Sequence, residues 1–187
     1  GNAIVGLAHM DELYKGIPNE AFKALPGDDK DVARELLNRN KKEQKNTRQT
    51  ALAQELAEKN VQQLTDKMNQ WVSMPEATPE EIEAKPKAYK TIVNSPAWWR
   101  LKVLADVQVS QFFIPKQNAG DCTTTGKFLQ HLVSQNAVQG QAAGISLAKA
   151  TEQRFFHWFL EFPEVFSKGG FDCVLGNPPF LGDRRLK

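Results

Sequence analysis

Between Asp28 and about Ser73 the chain carries no proline and no glycine. Val32, Leu36, Leu52, Leu56, Val61, Leu64, Met68 and Trp71 fall there largely at spacings of three to five. That periodicity predicts one long amphipathic helix or two in series. A second helix is predicted from "TPEEIEA", with Thr78 as cap, Pro79 at the first helical position and Glu80 and Glu81 at the positive end of the dipole. Pro86 is expected to break or kink it. "SPAWWRLKVLADVQVSQFFIP" repeats the pattern, with Ser95 as cap, Pro96 first and Pro115 as stop. Trp98, Leu101, Leu104, Ala105, Val109, Phe112 and Phe113 supply its apolar face, and of the adjacent Trp98 and Trp99 at most one can be deeply buried. Residues 116 to 127 read as a polar loop, followed by a helix through "KFLQHLVSQNAV" and a last one through "ISLAKATEQRFF" beyond Gly140 and Gly144. Phe155, Phe156, Trp158, Phe159, Phe162 and Phe166 are too dense for a surface and are expected to glue the helical part to a sheet. Phe171, Cys173, Val174 and Leu175 have the composition of a short buried strand ending at Gly176.

Charge changes this picture only locally. The 187 residues hold 24 Lys and Arg against 22 Asp and Glu, a formal charge of +2, so no global polycation announces nucleic acid. "NRNKKEQKNTRQT", however, sets Arg39, Lys41, Lys42, Lys45 and Arg48 against Glu43 alone, with no large apolar residue. That stretch should be exposed on every side, as a solvated face, or lie against phosphates, where lysines and arginines release counterions without reading sequence. Cys122 and Cys173 match no metal-ligand spacing and read as reduced structural thiols, the second inside the strand; His9, His131 and His157 are equally scattered, His131 being structural in its helix, and no metal site is expected. Glu161 and Glu164 have no base partner in the pattern and need only face solvent. No apolar run approaches the roughly 20 residues of a bilayer crossing. A soluble, cytoplasmic protein is expected. The opening Gly1 and the short tail "LGDRRLK" after a lone strand suggest a piece of a longer chain.

The strand runs into "NPPF", Asn177 to Phe180, where two prolines forbid both helix and central strand and make a stiff turn. In open α/β sheets ligands bind at such carboxyl ends. The tetrapeptide resembles the Asn/Asp/Ser-Pro-Pro-Tyr/Phe/Trp signature of amino methyltransferases that use S-adenosylmethionine. "FFHWFLEFPEVFSKGGFDCVLGNPPF", and the opening "GNAIVGLAHMDELYKGIPNEAFKALPGDDKDVARELLNRNKKE", are similar to stretches of type IIG restriction-modification enzymes and their phage-defence relatives, the BREX and DISARM methylases. The resemblance implies a mostly α chain: the helical insertion of a bacterial α/β, Rossmann-like DNA adenine-N6 methyltransferase, with one short strand leading into the NPPF turn.

It implies three parts: a segment after a parent-domain strand at 1–27, the insertion at 28–154, and the aromatic seam, strand and turn at 155–187. Asn177 and the carbonyl of Pro178 would accept hydrogen bonds from the target amine, Pro179 would stiffen the turn and Phe180 would stack on the base. Two fixed acceptors favour attack by a poorly nucleophilic exocyclic amine on the sulfonium methyl. The partners implied are double-stranded DNA with a flipped adenine and the remainder of the parent chain. The family's Gly-rich cofactor loop, of the kind "DPACGSG", is absent, so the residues that bind S-adenosylmethionine are not identified and this piece alone should be inactive. The competing readings are a helical protein- or DNA-interaction module without catalysis, in which NPPF is only a rigid turn, and methylation of RNA or a protein glutamine.

Overall fold

The computed structural model describes residues 1–45, 47–134 and 138–176. The segment that opens the chain is irregular apart from one turn of helix, α1 (Asp11–Tyr14), and a 3-10 turn at Asn19–Phe22. Of the two arrangements the periodicity allowed, two helices in series are formed: α2 (Lys30–Glu43), with Asp29 accepting from the amides of Asp31 and Val32 at 2.8 and 3.1 Å, and α3 (Thr47–Val72). Next comes α4 (Pro79–Val93), opened by a full capping box between Thr78 and Glu81. Ser95 caps α5 (Pro96–Ser110). The remainder consists of a 3-10 turn at Ala119–Asp121, α6 (Thr125–Ser134), α7 (Gln141–Gln153) and the single turns α8 (Trp158–Glu161) and α9 (Pro163–Phe166).

Of the two outcomes expected at Pro86, a break does not occur: α4 continues seven residues beyond it. Pro86 lies on the exposed side, where the carbonyl of Ile82 that loses its amide partner is open to solvent. The indole Nε1–H of Trp71 donates to the carbonyl of Lys85 at 2.9 Å, and its ring packs on Tyr89 at 5.1 Å, pinning the helix at the suspect turn.

The core is organised around α5, whose residues Leu104 to Ser110 are all buried. It packs on α7, which offers Ala142, Ala143, Ser146 and Ala150, and on α6 and α3. Small side chains let those backbones approach closely. Leu64 and Met68 of α3 and Phe128, Leu129 and Leu132 of α6 complete the apolar interior.

A helix buried on all sides cannot exclude its polar residues from the core, and here they are used to bind irregular backbone. The amide nitrogen of Gln108 donates to the carbonyls of Glu12 and Gly16 at 2.6 and 2.7 Å. Gln111 donates to the carbonyl of Val107 at 2.9 Å and accepts from the amide of Thr123 at the same distance. Lys116, fully enclosed, donates to the carbonyls of Gln111 and Ile114 at 2.6 and 2.7 Å, and burial pushes its ammonium below the ordinary lysine range. Asn40 of α2 donates to the carbonyl of Ile17 at 2.8 Å and accepts from the amide of Thr125 at 2.8 Å.

Among the described residues there is no strand, only an isolated parallel bridge between Asn2 and Phe155. The amides of Phe156 and Trp158 donate to the carbonyls of Val5 and Leu7, each at 2.9 Å. A Cβ at Gly6 would meet the carbonyl oxygen of Phe156 at 1.9 Å, so this approach requires glycine. The strand expected at Phe171–Leu175 is not formed. These residues are irregular and exposed, and Cys173, expected inside a buried strand, is exposed as well. The physical reason is that no other extended segment among the described residues lies alongside for their backbone to pair with.

Replacing the enclosed Asn40 by alanine strands the amide of Thr125 and removes one donor from the carbonyl of Ile17, which Gln44 still serves. A loss of roughly 2 to 4 kcal/mol in urea-unfolding free energy is expected. A change below about 1 kcal/mol would show that Asn40 does not tie the opening segment to α6.

Candidate functional site

Asn177, Pro178, Pro179 and Phe180 lie outside the described residues, so the site is built here from what leads to it. The approach begins at the aromatic seam. His157 is nearly inaccessible between Phe156 and Trp158. Its Nδ1 accepts from the amide of Leu7 at 3.1 Å, which places the ring proton on Nε2, 3.0 Å from Oδ1 of Asp106. The other carboxylate oxygen of Asp106 accepts from Lys102 at 2.6 Å. Paired and hydrogen-bonded on both sides, this buried carboxylate is tolerated where an isolated one would not be.

Trp158 extends outward from this clasp and donates through Nε1 to the carbonyl of Ala3 at 2.8 Å. Its ring lies 5.1 Å from Phe156, 5.8 Å from Phe162 and 5.7 Å from Phe171. Phe171 also meets Phe162 at 5.3 Å and Phe166 at 5.9 Å, edge to face. The seam expected to face a host sheet thus packs largely on itself and ends by gripping the first residue of the approach to NPPF.

Glu161 and Glu164 do not simply face solvent, as the pattern suggested. Both are half-buried, burial raises the Glu161 carboxyl above the usual range, and the phenol of Tyr89 is pushed up by burial and by facing both carboxylates.

The basic stretch is divided. Arg39 pairs with Glu43 at 2.9 Å. Lys41, Lys42 and Lys45 are exposed, with no carboxylate at ion-pairing distance among the described residues, and Arg48 falls in the first turn of α3. The expectation of exposure on every side is wrong for Asn40, which is fully enclosed, and for Glu43, whose Oε2 accepts from the amide of Gly126 at 2.6 Å. A helix end without large apolar residues packs here through hydrogen bonds rather than hydrocarbon, leaving the three lysines on the outer side.

Sequence reasoning missed the clasp of His157, Asp106 and Lys102. The signal was present: a histidine between two aromatic residues and an aspartate between Ala105 and Val107, each destined for burial and so in need of a partner.

The family model described as Eco57I restriction-modification methylase matches residues 19–187, nearly the whole chain. The chain belongs to the Eco57I restriction-modification methylase family. Neither a curated protein nor a solved structure matches it. Membership makes this a methyltransferase chain of a restriction-modification type, a class whose substrate is DNA and whose methyl donor is generally S-adenosylmethionine. No described segment has the form of the donor's loop. Among the described residues no strand feeds a Gly-rich turn, and the starts of α2, α4 and α5 are closed by their own caps. Nor does any group of three or more His, Cys, Asp and Glu among them suit a metal ion, and no described helix is long and apolar enough to cross a membrane.

Glu43 supplies a pH test. Burial pushes its carboxyl up, but the amide of Gly126, the hydroxyl of Thr124 and Arg39 together outweigh burial and hold it below the ordinary glutamate range. A lowered carboxylate stabilises the fold above its unfolded value and loses that contribution as pH falls through the folded one. Glu43→Gln should therefore lower stability at neutral pH and make the decline between about pH 5 and pH 2 shallower, read by urea unfolding across that range. An acid limb identical to that of the unaltered protein would remove Glu43 from the joint.

Proposed function

We propose that the chain carries the target-base turn of a DNA adenine-N6 methyltransferase, with Asn177 and the carbonyl of Pro178 as acceptors for the exocyclic amine, Pro179 as stiffener and Phe180 as stacking partner. The observation that carries this reading is the family match, which runs through residue 187 and so includes NPPF. Further support comes from the approach itself. Phe171 to Gly176 make no backbone hydrogen bond among the described residues, and Val174 and Leu175 are 65 and 93 % exposed. An apolar, unpaired segment of that kind is suited to join the sheet of a larger α/β catalytic domain. On this reading residues 1–27 and 155–187 belong to that domain and 28–154 form its helical insertion.

In this transfer the amine would attack the sulfonium methyl, forming an N–C bond as the donor's S–C bond breaks, with S-adenosylhomocysteine leaving and the surplus proton passing to solvent. The residues of this chain bind and orient the amine; holding the donor falls to the rest of the intact enzyme. The base must leave the duplex to reach such a turn, and adenine flipping costs a few kcal/mol. Lys41, Lys42 and Lys45, with Arg39 and Arg48 beside them, would contact the DNA backbone and supply affinity without sequence.

The test is methyl transfer from labelled S-adenosylmethionine to DNA by the full-length enzyme, beside Asn177→Ala. Label in N6-methyladenine that drops by roughly a hundredfold or more in the variant is expected. Label in cytosine, RNA or protein glutamine would overturn the adenine assignment, and undiminished transfer by the variant would overturn the role of Asn177.

For the lysines the readout is salt dependence. Replacing Lys41, Lys42 and Lys45 by alanine should weaken DNA binding across unrelated sequences and reduce the salt slope by roughly 0.9 per lysine. An unchanged slope would make α2 a solvated face.

A further inference from the structure

We infer that His157 is a proton-operated latch on the opening segment: its ring holds the amide of Leu7 only while neutral, so acid frees residues 1–7 from Phe156 and Trp158 while the helical body stays folded. The inference stands on the described residues alone and is independent of the methyl-transfer reading.

The geometry allows the imidazole one protonation state. A backbone N–H can only donate, so Nδ1 of His157, 3.1 Å from the amide of Leu7, turns its lone pair there. The single ring proton is therefore on Nε2, donated to Oδ1 of Asp106 at 3.0 Å. A second proton on Nδ1 would meet the N–H of Leu7 head to head. The ring is 2 % exposed, so no solvent acceptor reaches that proton until the contact opens.

The charged groups around the ring draw a proton toward it without offering Nδ1 a bond. On α5, Lys102 takes Oδ2 of Asp106 at 2.6 Å, leaving Oδ1 for the ring. Glu161 of α8 is a second carboxylate facing it; burial raises that carboxyl, and His157, Lys102 and the amino terminus draw it back down. Tyr89 of α4 faces Glu161 in turn. On the opening side Glu12 accepts from the amides of Ala8 and His9 at 3.0 and 2.8 Å, and the ring of His9 packs on Phe166.

Three further bonds share the fate of the latch. The amides of Phe156 and Trp158 donate to the carbonyls of Val5 and Leu7, each at 2.9 Å, and Nε1 of Trp158 donates to the carbonyl of Ala3 at 2.8 Å. Once Leu7 is displaced, these lose their register together. The next residues are tied by side chains that do not titrate: Gln108 on Glu12 and Gly16, and Asn40 and Gln44 on Ile17. Opening therefore stops short of α1. The opened form binds one proton more than the closed form, so the closed form is favoured at neutral pH and weakens as pH falls, by up to about tenfold per pH unit. A histidine in water titrates at about pH 6.5, which sets the window.

Hydrogen exchange at the amides of Leu7, Phe156 and Trp158 tests the latch in the full-length protein at about pH 7.5 and about pH 5, each rate normalised to its intrinsic value, with the imidazole nitrogens followed by NMR across the same range. Protection at the three amides should fall by roughly ten- to thirtyfold, in step with protonation of His157, while the amides of α5 keep theirs. His157→Gln, which does not titrate, should abolish the pH dependence. Unchanged protection at the three amides, an equal fall in His157→Gln, a fall shared by α5, or an imidazole that charges with the amides still protected would each overturn the latch. Should His157→Gln not fold, the unaltered protein decides: loss of protection coincident with the imidazole titration supports the latch, and separation of the two in pH overturns it.

Discussion

Irregular backbone placed inside a protein must have its amides and carbonyls paired, and the architecture of this chain follows from that requirement. The first 29 residues hold little regular structure, yet Leu7, Leu13, Ile17 and Phe22 among them are buried. Helices satisfy their own backbone; this segment depends on side chains sent from elsewhere. Asn40 and Gln44 of the α2 end serve the carbonyl of Ile17, Gln108 serves Glu12 and Gly16, and His157 serves the amide of Leu7. An unmade bond at any of these places costs a full desolvation penalty, whereas each made bond gains only about 1 kcal/mol. That asymmetry makes the polar interior a device that specifies one arrangement.

The same pairing connects distant parts of the sequence to the candidate site. Lys102 and Asp106 in the middle of α5 fix His157, His157 fixes Leu7, and the adjoining Trp158 is pinned to Leu7 and Ala3. From there the load passes to rings alone: Trp158, Phe162 and Phe166 around Phe171. Beyond Phe171 the pairing ends among the described residues: the backbone of residues 171–176 makes no hydrogen bond there.

Features governed by local chemistry were legible in the sequence. The caps at Thr78 and Ser95 and the prolines beside them follow from backbone rules that need no tertiary context, whereas the sequence left open whether the long helical stretch is one helix or two. Features governed by context were not. Whether Pro86 ends a helix depends on which side faces water, and whether Asn40 is exposed depends on the carbonyl of Ile17 more than twenty residues away. The strand at Phe171–Leu175 has the right composition but no neighbour, since pairing belongs to two segments and composition to one. The NPPF tetrapeptide was legible as a motif, while the ring contacts of Phe171 emerge only from the fold.

Native-state hydrogen exchange tests most directly the claim that side chains make this irregular backbone part of the core. The amides of Leu7, Ile17, Thr123, Thr125 and Gly126, bonded to His157, Thr125, Gln111, Asn40 and Glu43, should exchange as slowly as those of α5, while the amides of residues 172–176 exchange freely. Rapid exchange at the five bonded amides alongside a protected α5 would contradict the account, since the opening segment would then be a loose cover rather than part of the core.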